Sequence, residues 1–556
     1  MSDTPANIES PYASSRVEGK VAQRPPSLVP RRWVWVMVAI CVVVVVFIRV
    51  SNPTGDHAVD NILTLIFAFV AISSLLWWFV RTSAYPRSLR WAGLIVPLAI
   101  ALVCFGLLRI DHVNGELVPV FRFRWAPQPD ALLALPVETP TGELTVDLLT
   151  TTDVDYPQFL GPGRDAKVNG VELAQDWDRR PPRLLWRQPI GAGWSAFSAV
   201  NGFAVTMEQR GGDELVTCYE IKTGQLAWSR GVKSRHTTTL GGVGPRSTPT
   251  IDVGKVYTLG ASGTVLCLDG ASGQIVWRDN ILRRYGVEPP QDGKGVSWGR
   301  SGSPLIVDDL LVVPAGGTAV GPHVSLVAFN KHTGELVWEG GHRQVSFSSP
   351  ILATLGGVRQ IISVNQDYVS GHRVDSGEVL WEEEWAGKST ADASVSQPVA
   401  LPGDRLLLSK GYGVGAAMFE VAASGPGSLL RLLEVWRNPR VLKTKFTNVV
   451  IHNGYVFGLS DGILECVRLQ DGQRQWKRGR YGHGQLIGVG DFILVQTEAG
   501  SVVMIEATPS RFQEVGSLPG LSGKTWNNPC LYGTYLLIRN AEEACCFELA
   551  SVLSSS

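Results

Sequence analysis

The strongest constraint on the fold is an eleven-residue phrase that occurs five times after residue 217. Each copy places Trp four residues after Gly and a small residue six before that Gly. The copies are Cys218–Trp228, Cys267–Trp277, Ala328–Trp338, Gly371–Trp381 and Cys466–Trp476. Self-similarity at a fixed spacing is typical of stacked supersecondary units. The sequence therefore predicts a repeat fold.

Each phrase has the pattern of two antiparallel strands joined by a tight turn. The small residue and alternating apolar positions fit an inner strand, the Gly supplies the positive φ of the turn, and the Trp lies on the returning strand. A second pattern precedes each unit, in which a polar residue leads into a short apolar run that fits the strand nearest the centre. These lead-ins begin at Ser195, Ser247, Ser303, Ser349, Ser396, Thr447, Gln485 and Asn527.

Some units are degenerate or incomplete. Trp436 ends a unit whose turn is expanded at Ala423–Gly427, and the segment Met504–Phe512 has lost its Trp. The last inner strand, Cys545–Leu549, has no returning strand after it, whereas Leu185–Arg187 has no inner strand before it. Because these two halves complete each other, the sequence predicts an all-β domain. We expect an eight-bladed β-propeller of four-stranded blades that the N-terminal strand closes.

Three apolar segments precede the propeller. Residues 33–50, 61–80 and 91–110 are each about as long as a bilayer core requires and carry almost no internal charge. We therefore expect three transmembrane α-helices. A cleaved signal peptide for the first segment, or a buried helical hairpin for the other two, is left open.

The remaining parts of the chain differ in composition. Residues 1–32 are polar and fit a disordered tail. Residues 111–154 are rich in Pro and Thr, and we predict a tether with a short strand at Val118–Trp125. The propeller would take residues 155–556.

The charges that flank the apolar segments predict the topology. Basic residues precede the first segment and fill the second loop, namely Arg24, Arg31, Arg32, Arg81, Arg87 and Arg90. Acidic residues lie in the first loop and after the third segment, namely Asp56, Asp60, Asp111 and Glu116. The positive-inside rule therefore places the N-terminus in the cytoplasm and everything after the third helix outside it. The net charge of zero gives no indication of a nucleic-acid partner.

The cysteines of the propeller fit packing positions better than disulfides. Cys218, Cys267 and Cys466 occupy the small-residue position of the phrase, which elsewhere holds Ala or Gly. We therefore expect them to be free thiols between packed sheets. Cys545 and Cys546 are adjacent in sequence, and a strained vicinal disulfide between them is left open.

The repeated phrase resembles the tryptophan-docking motif of the pyrroloquinoline quinone (PQQ) repeat family. This family includes quinoprotein alcohol dehydrogenases and BamB-like outer-membrane assembly propellers, and Asp155–Arg164 is similar to the opening segment of its bacterial members. The resemblance covers residues 155–550 and implies a propeller in the periplasm, anchored in a bacterial inner membrane. It also implies tryptophans that dock between neighbouring blades, which would be Trp186, Trp228, Trp277, Trp338, Trp381, Trp436 and Trp476.

Two classes of function are compatible with this resemblance. The first is a membrane-bound quinoprotein dehydrogenase, since such family members hold Ca²⁺ and PQQ in the central funnel beside an Asp base. Only Asp367 and Asp392 are acids that we expect to reach this funnel. The second, which we favour, is a non-catalytic scaffold that binds a protein or peptide in the periplasm without PQQ or a metal. No nucleotide-binding loop, zinc spacing or Gly-x-Ser-x-Gly elbow occurs in the sequence, and no catalytic residue is assigned.

The residues that lead into the central strands are mainly basic and aromatic. They are Trp194, Arg246, Arg300, Phe347, Lys445, His483, Lys524 and Trp526. Closure of the propeller should bring these positions to one mouth of the channel, where all except Phe347 are our candidates for the rim of a binding site. Like charges held together favour a bound anion, such as a carboxylate ligand or an acidic partner loop, over Ca²⁺ and PQQ.

Overall fold

The computed structural model describes residues 27–51, 53–54, 56–136, 144–389, 392–423 and 430–551. The chain forms two compact units. One comprises residues 1–51 and 62–107, and the other comprises residues 52–61 and 108–556. Most of the predicted disordered tail, residues 1–26, lies outside the described residues.

Among the described residues, three helices are long and apolar enough to cross a membrane. They are α1 (Arg32–Ser51), α2 (His57–Thr82) and α3 (Arg87–Leu107). Their bounds differ by a few residues from the apolar segments. The start of α2 lies before the apolar run, because the Asp56 carboxylate accepts a hydrogen bond from the Ala58 amide at 2.9 Å and caps the helix. The end of α3 lies before residue 110, because Leu108 already enters a β-strand.

The segment after α3 contains a strand inside the predicted Val118–Trp125, and its described residues form more structure than the predicted tether. It forms a hairpin and a helical turn, namely β1 (Leu108–Val113), β2 (Pro119–Phe123) and α4 (Pro129–Leu132). Asp130 is buried and accepts a hydrogen bond from Arg235 of the propeller at 2.6 Å. Val146 and Leu148 are buried in a core with Val205 and Val256 of the propeller. The Pro-rich composition favoured an extended chain, but buried acidic and apolar side chains bind this segment to the propeller.

Two strands then precede the first blade, β3 (Lys167–Val168) and β4 (Arg183–Pro189). Blade 1 consists of β5 (Ser198–Val200), β6 (Phe203–Arg210), β7 (Asp213–Glu220) and β8 (Leu226–Lys233). The insert β9 (Thr237–Thr238) and β10 (Gly242–Val243) follows. Blade 2 consists of β11 (Thr250–Asp252), β12 (Lys255–Leu259), β13 (Thr264–Asp269) and β14 (Ile275–Asn280). Two short helices come next, α5 (Ile281–Arg284) and α6 (Pro289–Gly295).

The middle blades have the same order. Blade 3 consists of β15 (Leu305–Val307), β16 (Leu310–Gly317), β17 (His323–Asn330) and β18 (Leu336–Gly340). Blade 4 consists of β19 (Ile351–Leu355), β20 (Val358–Val364), β21 (Tyr368–Arg373) and β22 (Val379–Glu384). Blade 5 consists of β23 (Val399–Leu401), β24 (Arg405–Lys410), β25 (Gly415–Ala423) and β26 (Leu430–Asn438).

Three blades complete the ring. Blade 6 consists of β27 (Val449–His452), β28 (Tyr455–Ser460), β29 (Ile463–Arg468) and β30 (Arg474–Arg480). Blade 7 consists of β31 (Gln485–Val489), β32 (Phe492–Gln496), β33 (Val502–Glu506) and β34 (Glu514–Leu518). Blade 8 consists of β35 (Cys530–Tyr532), β36 (Tyr535–Arg539), β37 (Glu543–Glu548) and the early strand β4.

The predicted closure is confirmed by the pairing of the first and last strands. In blade 8, β4 lies antiparallel to β37, with Trp186 opposite Cys546. The same pair recurs in the regular blades, for example Trp228 opposite Cys218, and a β-bulge follows the small residue each time. Closing the ring with the N-terminal strand leaves no unpaired edge on the last inner hairpin.

The propeller cysteines are free and buried. Cys218, Cys267 and Cys466 are at most 1% exposed and lie between sheets. Cys545 and Cys546 are not bridged, and burial raises the pKa of each thiol to about 12. Thiols with such pKa values stay protonated at neutral pH and serve as small apolar side chains.

Six of the seven tryptophans named above contact the following blade in one common way. Each indole Nε1 donates a hydrogen bond of 2.8 to 3.0 Å to a backbone carbonyl oxygen of that blade. Most of these rings also pack against the Gly in the turn of the following blade. Trp186 packs against Gly224 in this way, and Trp228 packs against Gly273. The six are Trp186, Trp228, Trp277, Trp338, Trp436 and Trp476.

Trp381 differs from this pattern. Its Nε1 donates a hydrogen bond to the Gln360 side chain of its own blade at 2.5 Å. The following blade carries the expanded turn between β25 and β26 in place of the Thr-Gly turn. Trp381 therefore does not donate to a backbone carbonyl oxygen of the following blade as the other six tryptophans do. The Gln360 side-chain oxygen accepts the hydrogen bond of the buried indole N–H instead. Residues 424–429 of that turn lie outside the described residues.

Candidate functional site

The chain itself fills part of the central channel. Tyr156 pairs with Ala199 of β5, and the Pro157 carbonyl oxygen accepts a hydrogen bond from the Ile251 amide of β11 at 2.8 Å. Farther along, β3 lies parallel to the innermost strand β31. The segment 156–168 therefore contacts the inner strands of blades 1, 2 and 7.

Arg164 of this segment connects the start of blade 3 with the start of blade 5. Its guanidinium donates hydrogen bonds to the carbonyl oxygens of Ser303 and Pro304 at 3.3 and 3.0 Å. Its own carbonyl oxygen accepts one from the Gln397 side chain at 2.5 Å. Arg164 is only 6% exposed, and this burial lowers its pKa to about 9. The channel is thus closed at this level by a residue of the chain.

The predicted rim residues lie on the face where the innermost strands begin, which we call the upper face. Trp194 and Trp526 pack against each other with ring centroids 5.0 Å apart. The Lys524 ammonium lies 4.8 Å from the centroid of Trp194 and 4.1 Å from that of Trp526. Burial lowers the pKa of Lys524 to about 8. Phe446 continues the row, 4.7 Å from Trp526 and 4.8 Å from His483.

The two arginines are buried and already bound by the chain. Arg246 donates hydrogen bonds to the carbonyl oxygens of Gly241, Gly242 and Gly244. Arg300 forms an ion pair with Asp292 at 2.8 Å and also donates to a backbone carbonyl oxygen. Burial lowers the pKa of both arginines, for Arg246 to about 9. Neither guanidinium is available as a free anion site at the rim.

The Glu498 carboxylate accepts hydrogen bonds from three residues. One carboxylate oxygen accepts hydrogen bonds from the Gly115 amide at 2.6 Å and from Trp526 Nε1 at 2.9 Å. The other oxygen accepts one from the His483 amide at 3.0 Å. Next to it, the Lys524 ammonium donates to the Val113 carbonyl oxygen at 3.0 Å. The turn between β1 and β2 is therefore held over the channel mouth.

The loop between α1 and α2 covers another part of the mouth. Its Asp56 carboxylate lies 2.6 Å from the Lys445 ammonium, whose side chain is 4% exposed. Asn61 donates a hydrogen bond to the Glu116 carbonyl oxygen at 2.8 Å. Both segments that the sequence places outside the cytoplasm thus meet on the upper face. The sequence predicted that an external anion would bind the basic residues of the mouth. The carboxylate beside Lys445 is instead Asp56 of the same chain.

We expect Asp56→Asn to release this loop and to cost about 1–3 kcal/mol, because Lys445 would stay buried without its charged partner. Burial alone would raise the pKa of Asp56, but Lys445 and backbone amides outweigh it, so the pKa is lowered below 3.8. The contribution is therefore complete above that pH and is lost only as the pH falls through the lowered pKa.

Hydrogen exchange of residues 56–61 in the full-length protein measures this release. Lys445→Met combined with Asp56→Asn is the control, and its cost should be smaller than the sum of the single costs. Unchanged exchange in Asp56→Asn would contradict the role of the ion pair.

Two acids expected at the funnel have other roles. Asp392 binds the buried Lys410 ammonium at 2.5 Å and the Gly387 amide at 2.6 Å. Asp367 lies 3.9 Å from Arg343 and lines a smaller cavity of about 350 Å³. The expectation that only these acids reach the mouth was wrong, because the acids at the upper face also come from distant segments.

Several carboxylates near the channel mouth already have partners within the chain. Ca²⁺ takes six to eight oxygen ligands from a cluster of carboxylates and carbonyls. Asp56, Asp292 and Asp392 each bind a lysine or arginine, and Glu498 accepts N–H groups from three residues. Within the described ranges, no group of three or more His, Cys, Asp or Glu side chains could hold a metal ion.

An open cleft of about 860 Å³ remains on the upper face. The hairpin β1–β2 forms one wall, and blades 6, 7, 8 and 1 form the other. Its lining mixes charged and aromatic groups, among them Glu116, Trp194, Arg480, Lys524 and Glu542. Arg480 and Glu116 form an ion pair across it at 3.1 Å. The volume of the cleft lies within the range of ligand-binding pockets.

The sequence carried a usable signal for part of this site. Asp56 and Asp60 stand in an otherwise neutral loop, and the complementarity of this loop to a basic mouth points to the contact of Asp56 with Lys445. Glu498 follows β32, on the same side of its blade as the lead-in residues. Nothing in the sequence indicates which carbonyl groups bind Arg164 or Arg246.

Comparisons with known proteins agree with this architecture. The sequence profile of the family described as outer membrane protein assembly factor BamB matches residues 175–320 and 212–478, together more than half of the chain. No curated protein matches the chain in sequence.

Solved structures that resemble the chain have low sequence identity. BamB from Moraxella catarrhalis is 15% identical, with a TM-score of 0.48, over 66% of this chain and 100% of that one. A europium-containing methanol dehydrogenase is 10% identical, with a TM-score of 0.44, over 72% and 99%. The quinohemoprotein alcohol dehydrogenase from Comamonas testosteroni is 13% identical, with a TM-score of 0.41, over 71% and 80%. On the profile match, the protein belongs to the BamB-like family of PQQ-repeat propellers.

Proposed function

We propose that this protein is a non-catalytic scaffold, anchored in a bacterial inner membrane, whose propeller binds a protein or peptide segment in the periplasm. The observation that carries the proposal is the occupancy of the channel by the chain itself. Arg164 closes the channel, and the loops around Asp56 and Gly115 cover its mouth. The cleft beside the hairpin stays open to a ligand.

The cleft supports binding of a polypeptide. It is open, and aromatic rings and charges of both signs line it. Interfaces between proteins are enriched in such aromatic and arginine side chains at the centre of a polar rim. Trp194 and Lys524 supply an aromatic and a cationic surface, and Glu542 supplies an acidic one.

The contacts of the first loop support the proposed topology. With three spans, the α1–α2 loop and the chain after α3 emerge on the same side of a membrane. Asp56 and Asn61 indeed contact residues that follow α3. Because the basic flanking residues lie on the other side of the membrane, the positive-inside rule places this shared side outside the cytoplasm. A periplasm-active reporter fused after Arg124 should work and one fused after Pro86 should not, and the reverse result would contradict the orientation.

Site-specific photocrosslinking in cells tests the scaffold function. A photoreactive residue at Ala541, which lines the cleft, should capture one defined polypeptide, whereas the same residue at the exposed Ala271 on the opposite face should not. Glu542→Lys should reduce the capture at Ala541. Equal capture at both positions would contradict binding in the cleft.

Titration of the purified full-length protein with PQQ and Ca²⁺ tests the catalytic alternative. We expect no stoichiometric quinone uptake and no dye reduction with alcohols or sugars. Tight uptake together with such oxidation would overturn the non-catalytic assignment.

A further inference from the structure

We propose that the outward face of the hairpin β1–β2 lies in the headgroup region of the membrane that α3 enters, as a second, interfacial anchor. The inference rests on the membrane anchorage in the proposed function and does not depend on the partner. It commits to lipid as the occupant of this face.

The hairpin separates apolar from charged side chains between its two faces. The register places Leu108 opposite Phe123 and Ile110 opposite Phe121, so these four side chains share one face. Trp125 extends this face, with its ring stacked on Phe123 at 5.8 Å. A two-stranded hairpin alone cannot bury such a face.

This apolar face has no protein cover among the described residues. Phe121, Phe123 and Trp125 are 57%, 54% and 68% exposed, and Ile110 is 48% exposed. Large aromatic side chains with this exposure are unusual for a soluble surface and indicate an interaction site.

The other face of the hairpin fixes its orientation. Arg122 lies 3.4 Å from Asp111 of the hairpin itself and 3.4 Å from Glu542 of blade 8. The turn of the hairpin is held by Glu498, which binds the Gly115 amide, and by Lys524. Because the charged face binds the propeller, the aromatic face points away from it.

Continuity of the chain identifies lipid as the occupant. The candidate span α3 ends at Leu107, and β1 begins at Leu108 with no linker between them. The hairpin therefore starts where the chain leaves the apolar part of the bilayer. Aromatic side chains, and Trp above all, are enriched at this boundary because their rings suit a region that is apolar on one side and wet on the other.

Depth-dependent quenching tests this placement in the full-length protein reconstituted into liposomes. A fluorescent label is attached at Phe121→Cys or at Val120→Cys in a Cys104→Ala background, where the other cysteines are buried. Val120 is the matched control, since it is the next residue of β2 and lines the cleft. Lipids with spin labels near the headgroup should quench the Phe121→Cys label several-fold more than the Val120→Cys label.

A label on the native Cys104 of α3 distinguishes a failure of the interfacial hairpin from a failure of the membrane anchorage. Cys104 is exposed and lies less than one turn before the end of α3, so a label there in the otherwise unchanged protein should be quenched by spin labels in the acyl chains close to the headgroups. If Cys104 is quenched and Phe121→Cys is not, the interfacial hairpin is overturned while the anchorage stands. If neither is quenched, the membrane anchorage itself fails. Energy transfer between Phe121→Cys labels of separate molecules, without lipid quenching, would identify a second copy as the occupant and would also overturn the proposal.

Discussion

Replacing Trp277 by alanine is expected to lower the free energy of unfolding by roughly 3–5 kcal/mol, because a large ring is removed from between two blades. The side chain is 9% exposed, and its Nε1 donates a hydrogen bond to the Lys331 carbonyl oxygen of blade 3 at 2.9 Å. Its ring lies against Gly334, where an added Cβ would be 2.6 Å from the indole. Truncation therefore leaves both a cavity and a carbonyl oxygen without its donor.

A matched control is available on the same strand. Val276 precedes Trp277 on β14 and is 48% exposed, so Val276→Ala should change stability by less than about 0.5 kcal/mol. Chemical denaturation of the full-length protein, followed by circular dichroism, measures both variants. Equal losses for the two substitutions, or a loss below about 1 kcal/mol for Trp277→Ala, would contradict docking between blades.

The repeated phrase was sufficient to predict the blades because it encodes local structure. The Gly at positive φ, such as Gly273 at 67°, sets the turn, and the Trp four residues later sets the register of the outer pair. The incomplete units at the two ends also predicted closure by β4. All of these features depend on neighbours in sequence, or on one repeat having the same form as the next.

The contacts over the channel mouth could not be derived in this way. Asp56 and Lys445 are separated by 389 residues, and Gly115 and Glu498 by 383. No periodic pattern relates such positions, and the Pro-rich composition of residues 111–154 favoured an extended chain. The sequence identified the basic and aromatic groups of the mouth, but it did not show that the acids which bind them come from the membrane-proximal segments.

Blade 7 shows how a degenerate repeat can be compensated from elsewhere in the chain. The pair that is a small residue opposite Trp in regular blades is Met504 opposite Gly516 here, so β34 carries no indole. Trp177, from the segment before β4, lies against Gly516 instead, where a Cβ would be 2.8 Å from its ring. It is 3% exposed and belongs to the core that joins blades 7, 8 and 1. An indole thus occupies the expected place but comes from a different strand.

Trp177→Ala should therefore destabilise the protein nearly as much as Trp277→Ala, by roughly 3 kcal/mol or more, because the cavity forms at the blade that closes the ring. The Trp177 indole N–H has no hydrogen-bond partner among the described residues, so packing alone accounts for the loss. The same denaturation measurement applies. A loss below about 1 kcal/mol would show that the ring does not replace the missing docking residue.

Restoring the regular repeat should rescue this loss. Gly516→Trp alone is expected to destabilise the protein by about 1–3 kcal/mol, since Trp177 already fills the space that the new side chain needs. In the double variant, Trp177→Gly with Gly516→Trp, the new indole can enter the vacated position from β34, as Trp476 does from β30. The double variant should therefore be more stable than either single variant, with a favourable coupling of about 1–3 kcal/mol. Additive losses would mean that the position beside Met504 does not accept an indole from its own strand, and that Trp177 packs there for a reason unrelated to the repeat.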